Sequence, residues 1–205
     1  MHELKIYNSM QRKKVIFEPL DKDHIRIYAC GPTVYDYAHI GNARMAVVFD
    51  SLVRLLRSVY TKVTYVSNIT DIDDKIIDRS IRDKVSIKEV SNKFAKIYNK
   101  DMHMLNVLAP DFQPKATDYV KKMIKDIKIL IDKNYAYYSE KHVMFDVSSY
   151  PKYGSLSSRN KEDQIDGSRV QIAAYKKNPR DFILWKHSKN NEPGRDSHWG
   201  KGRPE

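Results

Sequence analysis

The chain has 205 residues, of which 41% are hydrophobic, so it can bury a genuine core and a disordered chain is not expected. A single cysteine excludes an internal disulfide, and no apolar run approaches the ~18 residues of a membrane span, so we expect a soluble, cytoplasmic protein that binds no membrane. The formal net charge of +11 favours polyanionic partners such as nucleic acid or nucleotides, but a lysine-rich surface explains it equally well.

The first part of the chain predicts alternating strands and helices. HIRIYAC, residues 24–30, alternates apolar with other residues and ends at a Gly-Pro turn, which is typical of a strand. A helical period starts near His39, and KVTYVSN, residues 62–68, is rich in β-branched residues and predicts a second strand. Strand, crossover helix and strand indicate a parallel α/β sheet. The helix places these apolar residues roughly on one face: Ala43, Val47, Leu52, Leu55 and Leu56.

Two further helices are predicted before residue 115. Thr70 precedes three aspartates and is the expected N-cap of the first, with acidic residues in its first turn. The second covers SIKEVSNKFAKIYNKDMHMLNV, residues 86–107, and carries an apolar stripe expected to pack on the sheet: Val90, Phe94, Ile97 and Leu105.

The character of the sequence changes near residue 115. An amphipathic helix is predicted from Thr117, followed by a hairpin formed by YAYYS and HVMFDV. The tyrosines at 135, 137 and 138 are expected in the hairpin core rather than stacked on bases, and Trp185 is expected to pack. We therefore predict two domains: 1–115, the first half of a nucleotide-binding domain, and 116–205, an α+β segment.

The stretch CGPTVYDYAHIGN, residues 30–42, is the candidate site, because ligands of open parallel sheets bind outside the carboxyl ends of strands. His39–Asn42 fall at the start of the following helix, where free N–H groups and the helix dipole favour phosphate. Gly41 permits close approach, and His39 and Asn42 can donate hydrogen bonds to phosphate oxygens. For single residues two plainer interpretations stay open: Cys30 as a buried thiol and His39 as a helix cap.

The same residues resemble a known family. CGPTVYD, HIGNAR and YVSNITDIDDKII, with PDFQPKATDYV, VMFDVSSYPKYG, DFILWK and WGKGRP, are similar in order and spacing to cysteinyl-tRNA synthetases, class I aminoacyl-tRNA synthetases whose HIGH motif corresponds to HIGN here. The resemblance implies a Rossmann-like parallel sheet with an inserted α+β connective segment. It also implies that the second half of the catalytic domain, with its KMSKS loop, lies beyond residue 205, so this chain alone is expected to be inactive.

The reaction implied by the resemblance is ATP-dependent activation of L-cysteine to cysteinyl-adenylate, with Mg2+ accompanying ATP, and transfer to tRNA(Cys). His39 and Asn42 take the catalytic role. Together with Thr33 and Gly41 they also bind ATP, while the Gly31 backbone and Thr70 contact the substrate cysteine. No chemical role is assigned to four further residues of the pattern: Tyr35, Asp36, Asp73 and Asp74.

Cys30 corresponds to the first of four zinc ligands in the family. Pocket contacts separate near-isosteres such as serine and cysteine by only ~1–3 kcal/mol, whereas Zn2+ selects a thiolate. The resemblance puts the other ligands, a Cys, a His and a Glu, beyond residue 205. The chain by itself is therefore expected to hold zinc weakly or not at all.

Two alternatives remain. One is the related enzyme that joins cysteine to an amino-sugar inositol; the intact DDKII and the basic charge favour the tRNA enzyme over it. The other is a non-catalytic nucleotide- or tRNA-binding fragment. We expect a monomer.

Overall fold

The computed structural model describes residues 4–157, 175–189 and 192–205. Its contacts divide the chain into two compact units, one formed by Pro19–Tyr119 and the other by Met1–Glu18 together with Val120–Glu205. Within the described ranges, no helix combines the length and the apolar character that crossing a membrane requires. The division predicted from sequence, 1–115 and 116–205, stays a prediction.

Eight strands and four α-helices make up the described fold. The strands are β1 (Lys5–Asn8), β2 (Lys13–Ile16), β3 (Ile25–Ala29), β4 (Val63–Ser67), β5 (Ala136–Ser139), β6 (His142–Phe145), β7 (Phe182–His187) and β8 (Gly202–Pro204). The helices are α1 (Ile40–Val59), α2 (Asp74–Asp83), α3 (Ile87–Met104) and α4 (Val120–Asp132).

The predicted strand–helix–strand unit is confirmed. β3 and β4 pair in parallel, from Ile25 opposite Val63 to Ala29 opposite Ser67, and α1 connects them. Three isolated parallel bridges extend this pairing. They join Thr33 to Thr70, Val66 to Phe112 and Ile69 to Lys115. The parallel part of the described structure is therefore small, a two-stranded sheet with bridges, and less than a complete Rossmann sheet.

The buried face of α1 differs from the predicted one. Ala46, Val53 and Leu56 are buried, whereas Val47 and Leu55 are exposed. Val53 packs with Ala29 of β3 and with β4, and Ala46 packs with α3. A run of apolar residues along a helix leaves its orientation open by about one residue, which is 100° of rotation, and only the packing partners decide it.

The chain after β4 packs α2 and α3 onto the strand ends through a cluster that includes Val34, Ile69, Ile76, Val90 and Phe94. The predicted stripe of α3 is largely confirmed, but its last member, Leu105, is exposed. Leu105 is the C-cap residue, so the helix has ended before it can face the core.

The prediction that Thr70 caps α2 is wrong. The N-cap is Asp73, whose carboxylate accepts from the Lys75 N–H at 2.8 Å. The predicted helix from Thr117 begins instead at Val120, after a 3-10 turn over Ala116–Tyr119. The Thr117 N–H and hydroxyl donate to the buried Asp71 carboxylate at 2.9 and 2.6 Å, which holds this stretch outside the α-helix.

The second unit contains an antiparallel sheet of order β5-β6-β7-β8. The predicted hairpin is confirmed as β5 and β6, and Trp185 of β7 is fully buried. Tyr137 is half-buried and its hydroxyl donates to the buried Asp181 carboxylate at 2.7 Å. The core prediction is wrong for Tyr138, which is 53% exposed although Ala136, two residues earlier on β5, is buried.

Candidate active site

The carboxyl ends of β3 and β4 are tied together by hydrogen bonds between the loops that follow them. The Gly31 N–H donates to Asn68 Oδ1 at 2.9 Å, and the Thr70 N–H donates to the Pro32 carbonyl at 3.0 Å. The Val34 N–H then donates to the Thr70 carbonyl at 3.1 Å. Because parallel strands end at the same edge of a sheet, residues 30–34 and 68–70 form one preorganised surface there.

Gly31 occupies a position where no side chain fits. A Cβ atom on Gly31 would lie 1.5 Å from the Asn68 carbonyl oxygen, so the two loops approach each other more closely than any L-residue allows. The Gly31 N–H is already engaged by Asn68. If the Gly31 backbone contacts a ligand, the contacting group is therefore its carbonyl oxygen.

Asn68 connects the loop after β3 to the predicted substrate residue Thr70. Its side-chain Oδ1 accepts from Gly31 and its Nδ2 donates to Thr70 Oγ1 at 3.1 Å. The Thr33 and Thr70 backbones form a parallel bridge next to it. The sequence pattern did not single out Asn68, although an asparagine directly after the strand YVS was a usable signal.

Cys30 is exposed at the end of β3, so the interpretation as a buried thiol is wrong. Its Sγ lies 3.7 Å from the Gly31 carbonyl oxygen, a weak contact that leaves the thiol accessible. In the parts of the chain that the structure covers, no three His, Cys, Asp or Glu side chains come together to hold a metal ion. Those residues thus do not make a zinc site, and Cys30 offers one thiol.

His39 and Asn42 form a reciprocal capping box at the start of α1. The Gly41 N–H donates to His39 Nδ1 at 3.0 Å, and the His39 N–H donates to Asn42 Oδ1 at 3.1 Å. The plainer interpretation of His39 as a helix cap is thus confirmed. The cap also determines the chemistry of the ring, because a nitrogen that accepts a hydrogen bond carries no proton. Neutral His39 therefore holds its proton on Nε2, where it can donate to a ligand.

Gly41 makes room for this arrangement. A Cβ atom at position 41 would lie 2.8 Å from His39 Cε1 and 3.0 Å from Nδ1, so the imidazole rests over the backbone of Gly41. The free N–H groups expected at this helix end are fewer than predicted, since Gly41 donates to His39. The capping bonds use His39 Nδ1 and Asn42 Oδ1, so the Nε2–H of exposed His39 and the Nδ2 amide of half-buried Asn42 are the side-chain donors that these bonds leave over. The first turn of α1 carries no acidic residue that would repel an anion.

Comparison with known proteins places this site in a family. The model of the tRNA synthetases class I (C) catalytic domain matches residues 16–205. The chain belongs to the class I (C) tRNA synthetases. Among similar proteins, the cysteine–tRNA ligase of Parvibaculum lavamentivorans is 52% identical over 202 residues, which cover 98% of this chain and 43% of that protein. The cysteine–tRNA ligase of Rhodospirillum rubrum is 52% identical over 98% of this chain and 44% of its own length.

Other comparisons agree with this membership. The cysteine–tRNA ligase of Maricaulis maris is 50% identical over 100% of this chain and 45% of its own length. A solved structure from Campylobacter jejuni, described as an arginyl-tRNA synthetase, shares the fold with a TM-score of 0.52 at 13% identity, over 65% of this chain and 40% of that one. This class I synthetase chain spans less than half the length of the curated relatives it matches.

Proposed function

We propose that the protein is a cysteine–tRNA ligase that activates L-cysteine with ATP and transfers the cysteinyl group to tRNA(Cys). The observation that carries the proposal is the strand-end surface. Cys30–Gly31 and Asn68–Thr70 meet at one edge of the β3–β4 pair, and the loop from Cys30 leads in nine residues to the capped start of α1. The relatives named cysteine–tRNA ligase over the whole length of the chain support the same conclusion.

In the first step the cysteine carboxylate attacks the α-phosphate of ATP, which arrives with Mg2+, and pyrophosphate leaves. A carboxylate is a nucleophile without a general base, so the protein contributes position and charge stabilisation. We assign this to the Nε2–H of His39 and the Nδ2 amide of Asn42, the two side-chain donors that the capping bonds leave over at the start of α1. Gly41 permits the ring position of His39, and Thr33 contributes to ATP binding from the strand-end loop.

The substrate cysteine is assigned to the Gly31 carbonyl and to Thr70. Both are held by Asn68, so the two contacts are set in one geometry before the substrate arrives. Cys30, exposed at the same edge, is proposed as one zinc ligand in the complete protein. When bound, Zn2+ would favour a thiolate substrate over serine. We further propose a Rossmann-like sheet extended from β3 and β4, with residues 1–115 and 116–205 as domains of a cytoplasmic monomer.

The test is cysteine-dependent exchange of labelled pyrophosphate into ATP by the protein that the full reading frame encodes. We expect exchange with cysteine and none with serine. His39→Ala should lower kcat for exchange by about 10- to 1,000-fold with a smaller effect on the KM for ATP, because the hydrogen bond strengthens in the transition state. A pure loss of ATP affinity would contradict the role of His39. Transfer of cysteine to an amino-sugar acceptor in place of tRNA(Cys) would favour the related ligase.

A further inference from the structure

Arg79 of α2 contacts the middle of the site loop, residues 35 and 36. Arg79 Nη1 lies 3.0 Å from Asp36 Oδ1 and donates to the Tyr35 carbonyl at 3.4 Å. Its guanidinium also pairs with Asp83, one turn further along α2. The Arg79 side chain is only 15% exposed, whereas the Asp36 carboxylate that it meets is 46% exposed, so the pair lies at the surface with its arginine side covered.

An aromatic contact completes the attachment. The Arg79 guanidinium carbon lies 4.7 Å from the centre of the Phe94 ring, which belongs to α3 and is fully buried. The Tyr37 ring meets the same Phe94 ring edge-on, at 5.5 Å between centres and 81° between planes. Loop residues 35 to 37 thus contact one arginine and the aromatic ring beneath it, and the Tyr35 ring also packs on the neighbouring core cluster and lies 5.2 Å from Lys75 Nζ.

This attachment lies between two parts of the loop that have their own anchors. Residues 31–34 are bonded to Asn68 and Thr70, and residues 39–42 are closed by the capping box of α1. Residues 36–38 connect these two anchored parts and lead the chain into the N-cap of α1 at His39.

We propose that Arg79 is a positioning residue for His39, acting through Asp36 and Tyr37 to aim the Nε2–H of His39 at the ATP phosphate. The inference rests on the proposed function for what His39 does, but its structural part does not need the reaction. Arg79 touches no reacting group and serves neither Cys30 nor Gly31, which Asn68 holds independently. The effect of Arg79 should therefore be confined to the His39 end of the loop.

The task suits arginine and not lysine. A guanidinium presents several N–H groups in one plane, so it can bond Asp36, Asp83 and a carbonyl at once while its face lies on an aromatic ring. A lysine ammonium is a point charge without that geometry. The pKa of the Asp36 carboxyl lies below its usual range, chiefly because it accepts a hydrogen bond from the Tyr37 N–H and, to a smaller extent, because Arg79 bonds to it. The carboxylate is therefore charged throughout the neutral range.

The structural test follows the His39 ring by 15N NMR in the protein without ligands, with its signals assigned by their loss in His39→Gln. The variants are Arg79→Lys, Arg79→Ala and Asp36→Asn, with Arg82→Ala as control, since Arg82 is 66% exposed, forms its ion pair with Asp83 and acts on Asp36 only through a longer-range charge interaction. The wild type and the control should show the neutral Nε2–H tautomer. In all three test variants the 15N chemical shifts of the two His39 ring nitrogens should move towards a common average, because the ring leaves Gly41 and both tautomers become populated. A wild-type tautomer in Arg79→Ala and Asp36→Asn would overturn the proposal.

Cys30 is an internal control for a merely structural effect. It is the only cysteine, so the rate of its reaction with a disulfide reagent reports on the other end of the loop alone. That rate should stay within about twofold of wild type in Arg79→Lys and Asp36→Asn, since Asn68 holds this end. A large rise together with the loss of the tautomer would mean that the whole loop has loosened, which contradicts a role specific to His39.

The functional arm measures pyrophosphate exchange with the protein that the full reading frame encodes. Arg79→Lys and Asp36→Asn should lose about 10- to 100-fold in kcat with the KM for cysteine nearly unchanged, the usual cost of a small misplacement of a catalytic group. An equal loss through KM for cysteine would contradict the proposal. If the wild type shows no exchange while the tautomer depends on Arg79, the proposed function fails and the positioning role stands.

Discussion

Asn42 has two tasks that a pair of substitutions can separate. Its Oδ1 accepts from the His39 N–H at 3.1 Å and closes the capping box, while its Nδ2 is the proposed donor to phosphate. Asn42→Asp keeps an acceptor and removes the donor. Asn42→Ala removes both. If the two tasks are real, the aspartate variant should be stable and much less active, and the alanine variant should be both less stable and much less active.

The magnitudes follow from the geometry. A carboxylate at the third position of α1 is favoured by the helix dipole by about 0.3–1 kcal/mol, so Asn42→Asp should unfold in urea at or above the wild-type midpoint. Asn42→Ala loses half of a capping box and should be destabilised by about 0.5–1 kcal/mol. A hydrogen bond to a charged group contributes about 1.5–3 kcal/mol, so Asn42→Ala should lose about 10- to 150-fold in kcat/KM for pyrophosphate exchange, and Asn42→Asp should lose at least as much because its carboxylate also repels the phosphate.

The assays are urea unfolding followed by circular dichroism and exchange with saturating cysteine. Asn42→His offers a further check, because imidazole Nδ1 can accept from His39 while Nε2 donates, so it should retain both stability and exchange. An Asn42→Asp variant with wild-type exchange would refute the donor role. A destabilised Asn42→Asp variant would refute the capping geometry on which the assignment of the His39 tautomer depends.

Three further predictions concern other parts of the chain. Gly31→Ala should destabilise the protein by at least about 1–3 kcal/mol in urea unfolding, because its Cβ would meet the Asn68 carbonyl oxygen at 1.5 Å and backbone must move. Burial raises the pKa of Tyr137 to about 12, so its neutral form contributes stability that is complete below pH 10 and is lost between about pH 10 and 12. Tyr137→Phe should be less stable at pH 7 and show a shallower loss across that window. Zinc should bind this chain weakly in equilibrium dialysis, since the described residues offer Cys30 without a group of further ligands.

Matched variants sharpen these tests. Gly41→Ala should destabilise less than Gly31→Ala, because its neighbour is the movable His39 ring and not backbone; equal losses would contradict the close approach of the two loops. Tyr138→Phe, at an exposed position, should leave stability from pH 10 to 12 unchanged. For zinc, retention of one equivalent that Cys30→Ser abolishes would show a site that the described residues do not reveal.

The local features of the active-site half could be predicted from sequence because each depends on neighbours along the chain. Period-two alternation marked β3, β-branched and aromatic residues marked β4, and the change to a helical period marked α1 with its start near His39. The order strand, helix, strand then required a parallel pair, and it placed residues 30–42 at its carboxyl edge. The family followed from the same motifs in the same order.

The rest was decided by contacts between residues distant in sequence. Gly31 and Asn68 are 37 positions apart, and Arg79 reaches the Tyr35 carbonyl across 44, so no local pattern could pair them. The face that α1 buries, the cap of α2 and the exposure of Cys30 likewise depend on what packs against each segment. The order of residues along the chain was enough to place the strand end and the start of α1. Which of these residues are bonded, which are exposed and which distant arginine contacts the loop between them depends on packing between segments that lie far apart in the chain.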